Sequence, residues 1–231
     1  MKILAVDSSA KACSACLLED NKIKGEFFIN TALTHSQTLV PMIDAVLKNT
    51  STDIKEVDAL AVSAGPGSFT GVRIGVAAVK GIAMPLDKPC VSVSTLEAMA
   101  YNMTGESCVV CAVMDARCKQ VYNAMFSVEN GVVSRLCDDR ALSIDDLGED
   151  LKSYSGRVIL VGDGAELCYN SFKELLSYVE LAPEQLRYQR ASGVAFASVN
   201  KEKITPAQLL PTYLRLPQAE RELKKRLENK K

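Results

Sequence analysis

The sequence predicts an α/β protein of two related lobes, each opening with a β-meander in a mixed sheet. Three observations carry this expectation. Strand-like and helix-like runs interleave along most of the chain. A turn-punctuated run of three strands opens the chain and recurs after Gly105. A glycine-rich strand-to-helix junction, S-A-G-P-G-S-F-T-G-V-R-I-G-V-A-A-V-K-G-I-A from Ser63 to Ala83, stands in the first half.

The elements follow in order. Lys2–Val6 is a strand, Asp7–Lys11 a polar turn, Ala12–Leu18 a second strand, and Lys22–Ile29 a third beyond the turn residues Glu19-Asp20-Asn21. Thr34 and Gln37 have capping-box spacing and open a helix to about Asn49, with Pro41 either kinking it or marking its first turn. Asp58–Ser63 is a short apolar strand, Gly71–Ala83 a helix, Lys88–Val93 a strand, and Thr95–Asn102 a further helix. The second half restarts with strands Val109–Met114, Gln120–Ser127 and Val132–Cys137. A helix, the strand Val158–Val161 and two helices complete it, and Ala219–Lys231 is a charged helix or frayed end. The expected division is 1–104 for the first lobe and 105–205 for the second. Residues 206–231 form a C-terminal segment and charged helix, a candidate to pack back on the first lobe. The repeated hairpin opening makes duplication the economical reading.

Bulk properties narrow the function. The chain has 231 residues, enough for one large domain or two small ones. Hydrophobic residues make up 48% and charged residues 24%, an ordinary globular composition. A net charge of -1 argues against nucleic-acid binding by this chain alone, since phosphate neutralisation needs a basic surface. No membrane span is expected, and the N-terminal M-K-I-L-A-V-D-S-S reads as a strand rather than a signal peptide. A cytoplasmic protein is the expectation. Two of the eight cysteines' spacings read C-x-x-C, Cys13/Cys16 and Cys108/Cys111. Both pairs sit in strand-like runs, where residues three apart point to opposite faces. They read as reduced, buried thiols rather than as metal ligands.

The glycine-rich stretch resists two phosphate-binding readings. A Walker A loop requires a Lys after its last Gly, and none follows Gly71. A dinucleotide fingerprint needs G-x-G-x-x-G; here the third Gly is one residue late, and Pro66 removes an N–H. The helix after it is apolar nearly all round. From Val72 to Ala83 its only polar side chains are Arg73 and Lys80. The preceding helix also carries a wide apolar arc. Either a partner covers this surplus, or the two helices and the second lobe cover one another. The candidate partner interface is His35, Leu39, Met42, Ile43 and Val46 on the first helix. On the second it is Gly71, Val72, Gly75, Val76, Val79 and Lys80.

The chain resembles the TsaB (YeaZ) family in M-K-I-L-A-V-D-S-S (Met1–Ser9), H-S-Q-T-L-V-P-M-I (His35–Ile43) and G-P-G-S-F-T-G-V-R-I-G (Gly65–Gly75). Further islands are Asp115–Arg117 with Val121–Tyr122, P-T-Y-L-R (Pro211–Arg215), and Ala219–Glu220. The resemblance is dense over the first hundred residues and confined to islands beyond. It implies the actin/hexokinase/Hsp70-like (ASKHA) fold. It also implies a non-catalytic paralogue of TsaD, the enzyme that threonylcarbamoylates adenosine 37 in tRNAs reading codons that begin with A. TsaB would pair with TsaD through its first two helices, the ATPase TsaE would join the pair, and tRNA would be touched only indirectly. Alone, the same helices would form a homodimer.

The resemblance also bears on chemistry. Where TsaD-like paralogues hold a metal with histidines, this chain has Thr95 and Met99, poor ligands for a hard or borderline cation. His35 is the single histidine, so neither a metal pair nor an imidazole-based nucleophile is expected. Asp7, Ser8 and Ser9 in the first hairpin, with Asp115 and Arg117 in the second, read as remnants of a nucleotide site. Ala116 stands there in place of a phosphate-approaching glycine. No cofactor is expected. The other class of reading is an enzyme of the same fold, an ATPase or sugar-kinase-like protein or a peptidase.

Overall fold

The structure, a computed structural model, describes residues 1–31 and 33–215; the charged segment Ala219–Lys231 lies outside the described residues. Two sheets carry the fold. The first has the order β3-β2-β1-β4-β5, built from β1 (Lys2–Asp7), β2 (Cys13–Glu19), β3 (Lys22–Ile29), β4 (Ala59–Gly65) and β5 (Cys90–Ser94). Its β1, β2 and β3 form an antiparallel meander, and β4 and β5 add in parallel on the far side of β1.

The second sheet repeats this plan. Its strands are β6 (Cys108–Asp115), β7 (Gln120–Glu129), β8 (Val132–Arg135), β10 (Val158–Val161) and β11 (Val179–Leu181), in the order β11-β10-β6-β7-β8. β6, β7 and β8 form the meander, and β10 and β11 add in parallel. The short β9 (Arg140–Ser143) pairs with β7 as well. The duplication is therefore one of topology. The strands β9 and β11 are absent from the expectation, because each is too short to carry an alternating pattern.

Alternation along the strands sends side chains to two covers. In the first sheet Leu4, Val6, Leu17, Leu60 and Val62 meet α1 (His35–Asn49) and α2 (Phe69–Ala83). Ile3, Ala5, Leu18, Ala61 and Val91 face the other way, toward α7 (Ala191–Ser198). The second sheet likewise buries Val110, Ala112 and Phe126 against α3 (Thr95–Ala100). Its opposite face is covered by α4 (Ile144–Leu151) and α5 (Ala165–Phe172). The same alternation separates the cysteine pairs: Cys13 and Cys16 lie in different cores, as do Cys108 and Cys111. All eight thiols are free, and only Cys118 is exposed.

Several expectations change. Thr34 precedes α1 but makes no side-chain cap; its carbonyl accepts from the Gln37 amide at 3.0 Å. Pro41 lies inside a helix that begins at His35, and α2 starts at Phe69 with Ser68 as its side-chain cap. The lobe boundary at residue 205 runs too late. Helix α7 packs on β1, β2 and α3, because it is small and apolar all round and fits between them. Its Ala191 amide donates to Ser14 Oγ at 2.8 Å and its Ser192 amide to Glu26 Oε1 at 2.9 Å. The helical stretch Phe69–Leu86 also has the length and mean hydropathy, 1.3, of a membrane-crossing helix. Here it lies along the first sheet, with Gly71, Val72, Gly75, Val76, Val79 and Ala83 buried.

Candidate functional site

A cleft of about 510 Å³ opens between the two hairpin turns. Ser9–Lys11 of the first hairpin and Asp115–Arg117 of the second line it, with Pro66–Thr70 at the start of α2. Asp163, in the turn from β10 to α5, forms a further wall, and Thr212–Arg215 crosses it. The sequence-predicted remnants thus divide. Ser9, Asp115 and Arg117 face the cleft, while Asp7 and Ser8 are buried behind it.

Asp7 has no free oxygen to offer. Its Oδ1 accepts from the Ser9 amide at 2.9 Å and the Ser9 hydroxyl at 2.7 Å, and its Oδ2 accepts from the Ser63 hydroxyl. Burial pushes its pKa above the ordinary carboxylate range, against the pull of those hydrogen bonds. Ser8 Oγ donates to the Gly71 carbonyl at 2.9 Å, and the Ser68 amide donates to the Ser9 carbonyl at 2.7 Å. A side chain at Gly67 or Gly71 would strike the backbone of Ser9 or Ser8. These glycines let α2 press onto the first hairpin. Gly65 has φ +122°, and a side chain there would strike the Thr212 carbonyl.

The second hairpin turns through three successive left-handed residues, Arg117, Cys118 and Lys119, with φ of 62°, 55° and 56°. None is glycine, so this backbone is held against its own preference. The Arg117 amide donates to Asp115 Oδ1 at 2.7 Å. Burial raises Asp163 to about 6, partly offset by the Gln189 amide group donating to it at 3.2 Å. His35 opens α1 and donates from Nε2 to the Ala10 carbonyl at 2.6 Å, tying the helix to the first hairpin. Thr95 and Met99 are sealed in α3; the Thr95 hydroxyl has no partner among the described residues.

The expected partner interface needs correcting. Leu39, Met42, Ile43 and Val46 are core residues of α1, and Gly71, Val72, Gly75, Val76 and Val79 are buried in α2. They face the sheet because it takes up the larger apolar arc of each helix. His35 and Lys80 are half-buried. What α2 turns outward is a different stripe: Ala77 and Gly81 are exposed, and Ile74, Ala78 and Ile82 are half-buried. Val40 on α1 is 54% exposed and Met84 beyond α2 is 60% exposed. On α2 the outward apolar residues lie about one position round the helix from the expected ones, whereas on α1 Val40 stands beside the charged Asp44 and Lys48.

The family described as "TsaD: tRNA N6-adenosine threonylcarbamoyltransferase" matches residues 29–222. A Bacillus subtilis protein named tRNA threonylcarbamoyladenosine biosynthesis protein TsaB is 30% identical, over 95% of this chain and 96% of its own.

The chain belongs to the TsaB (YeaZ) family.

The Escherichia coli TsaB is 35% identical over 71% of this chain and 72% of its own. The solved structure of YeaZ from Pseudomonas aeruginosa superposes with a TM-score of 0.78 at 27% identity, covering 92% of this chain and 99% of that one. TsaB membership places the chain in tRNA threonylcarbamoyladenosine biosynthesis, and its two repeated sheets are the actin/hexokinase-like architecture. Asp7 is satisfied internally, the glycines of the α2 junction are filled by backbone, and Arg215 donates to the Ala116 carbonyl at 3.0 Å across the mouth.

Proposed function

We propose that this chain is a cytoplasmic, non-catalytic subunit that docks TsaD, with TsaE joining the pair, for threonylcarbamoylation of adenosine 37 in tRNAs reading codons that begin with A. The supporting observation is the outward stripe of α2. Ile74, Ala77, Ala78, Gly81 and Ile82 recur at helical spacing on one side of a helix whose opposite side is already buried in the sheet. Small residues at Ala77, Ala78 and Gly81 allow a second helix to approach closely. The same stripe would support a homodimer of this chain when it is alone. Any contact with tRNA would be a minor part of a surface supplied by TsaD.

The test is the mass in solution of the chain alone and mixed with TsaD, by size-exclusion chromatography with light scattering. A peak at the summed mass is expected, and Ala77→Glu should remove it while leaving the circular dichroism spectrum unchanged. No complex, with or without ATP and TsaE, would overturn the proposal. A complex insensitive to Ala77→Glu would move the docking face elsewhere.

A further inference from the structure

The last described segment of the chain runs back along α2. Ile204 pairs with Cys90 at the start of β5. Leu209 is wholly buried in the core beneath α1 and α2. Lys80 Nζ donates to the Leu209 carbonyl at 3.1 Å. The Thr212 amide donates to the Ala64 carbonyl at 2.7 Å, at the cleft end of β4. Tyr213 stacks on Phe69 with ring centroids 4.8 Å apart and accepts from Arg73 Nε at 2.7 Å. Arg215 then reaches the second lobe at Ala116.

Arg73 and Lys80 are the only polar side chains between Val72 and Ala83. Both hydrogen-bond to this segment. The contacts pair donors with acceptors along the segment: carbonyls for Lys80, a phenol for Arg73, and the Ala64 carbonyl for the Thr212 amide.

We infer that Ile204–Arg215 is an intramolecular latch, a segment that turns at Thr205–Gln208 and then runs along α2 and past the interlobe cleft, tying the outward helix of the first lobe to the hairpin of the second. Its last residues, Thr212–Arg215, form one wall of the cleft. Anything that displaces Arg73 from Tyr213 loosens the segment and, through Arg215, the second hairpin. The latch rests on contacts within the chain and stands whether or not TsaD is the partner.

Amide exchange by NMR on the full chain tests it. Arg73→Ala should speed exchange at the Thr212 amide at least tenfold. It should also speed exchange at Ala116, in the other lobe, although the contacts of Arg73 lie on Phe69 and Tyr213. Arg215→Ala should speed Ala116 from the opposite end, and Tyr213→Phe, which keeps the stacked ring, should have a smaller effect on Thr212. Val62 in the core should keep its rate in all three. An unchanged Thr212 in Arg73→Ala would overturn the latch. So would a faster Thr212 with an unchanged Ala116, because the segment would then tie nothing together. Equal loosening at Val62 would overturn it as well, making the segment an inseparable part of the core.

Discussion

The Arg73 guanidinium hydrogen-bonds the Tyr213 hydroxyl at 2.7 Å while lying 3.8 Å from the centre of the Phe69 ring. Two residues 140 positions apart are thereby held at the exposed end of α2. A double-mutant cycle with Arg73→Ala and Tyr213→Phe should give a coupling of about 0.5–1 kcal/mol in urea unfolding, typical of a partly solvated charged hydrogen bond. A coupling indistinguishable from zero would mean that the pair forms without contributing.

Two glycines of α2 should respond with opposite signs. At Gly71 a side chain would meet the Ser8 backbone carbonyl, which has no room to move. Gly71→Ala should cost about 2–4 kcal/mol of stability, or prevent folding. At Gly81 nothing lies within 4 Å of the added carbon. Gly81→Ala should stabilise by about 0.5–1 kcal/mol through helix propensity alone. Thermal unfolding of both variants distinguishes these outcomes.

Val76 is 5% exposed and belongs to the core beneath α2. Val76→Glu should therefore lower stability by several kcal/mol, since its carboxylate would be buried without a partner. Ala77→Glu, one residue further round the helix, should shift the unfolding midpoint little. Similar unfolding curves for the two variants would show that α2 is rotated relative to this description.

Asp163 should leave a signature in acid. Its folded pKa is raised by burial from 3.8 to about 6, so the folded state binds the proton more tightly than the unfolded chain does. Its contribution to stability therefore falls as pH rises from about 4 to 6, and a penalty of order 3 kcal/mol persists above that window. Asp163→Asn should remove this slope and raise stability at pH 7. The new amide can also donate to Gln189 Oε1, which has no partner among the described residues. Unfolding free energies of the two proteins from pH 4 to 8 provide the check; parallel curves would exclude a perturbed Asp163.

Cys118, at the tip of the second hairpin, should be the thiol that reacts first in the native protein. Burial pushes Cys13 up to about 11 and Cys168 up to about 12, so neither offers much thiolate at neutral pH. One equivalent of rapid labelling by a maleimide is expected, and Cys118→Ser should abolish it. Rapid labelling of several thiols would indicate that the buried strands open readily.

The sequence showed the fold where its local signals are strong. The two meanders, the Ser63–Ala83 junction and Val158–Val161 were legible because alternation and turn residues agree there. The surplus on α2 was legible as a quantity but not in its direction. A helix apolar nearly all round has no periodicity to say which side meets the sheet, so nothing in the sequence separates the buried Val76 from the exposed Ala77. The segment from Ile204 to Arg215 was legible only as a candidate to pack back. Its hold on α2 depends on Arg73, Lys80 and Tyr213, residues far apart in sequence that no local pattern joins. Asp163 follows the strand Val158–Val161, but its place in the cleft depends on the second hairpin coming alongside.

Helix α7 and the segment after it have a consequence for how the protein is made. The first sheet is encoded by residues up to Ser94, yet one of its two faces is covered by residues 191–198 and the other is finished by Leu209. A nascent chain that has released only this sheet leaves Ile3, Ala5 and Leu18 without their α7 cover until residues 191–198 have left the ribosome. The first sheet is thus completed only after the second has been made, and in that interval its uncovered apolar face leaves the chain open to aggregation.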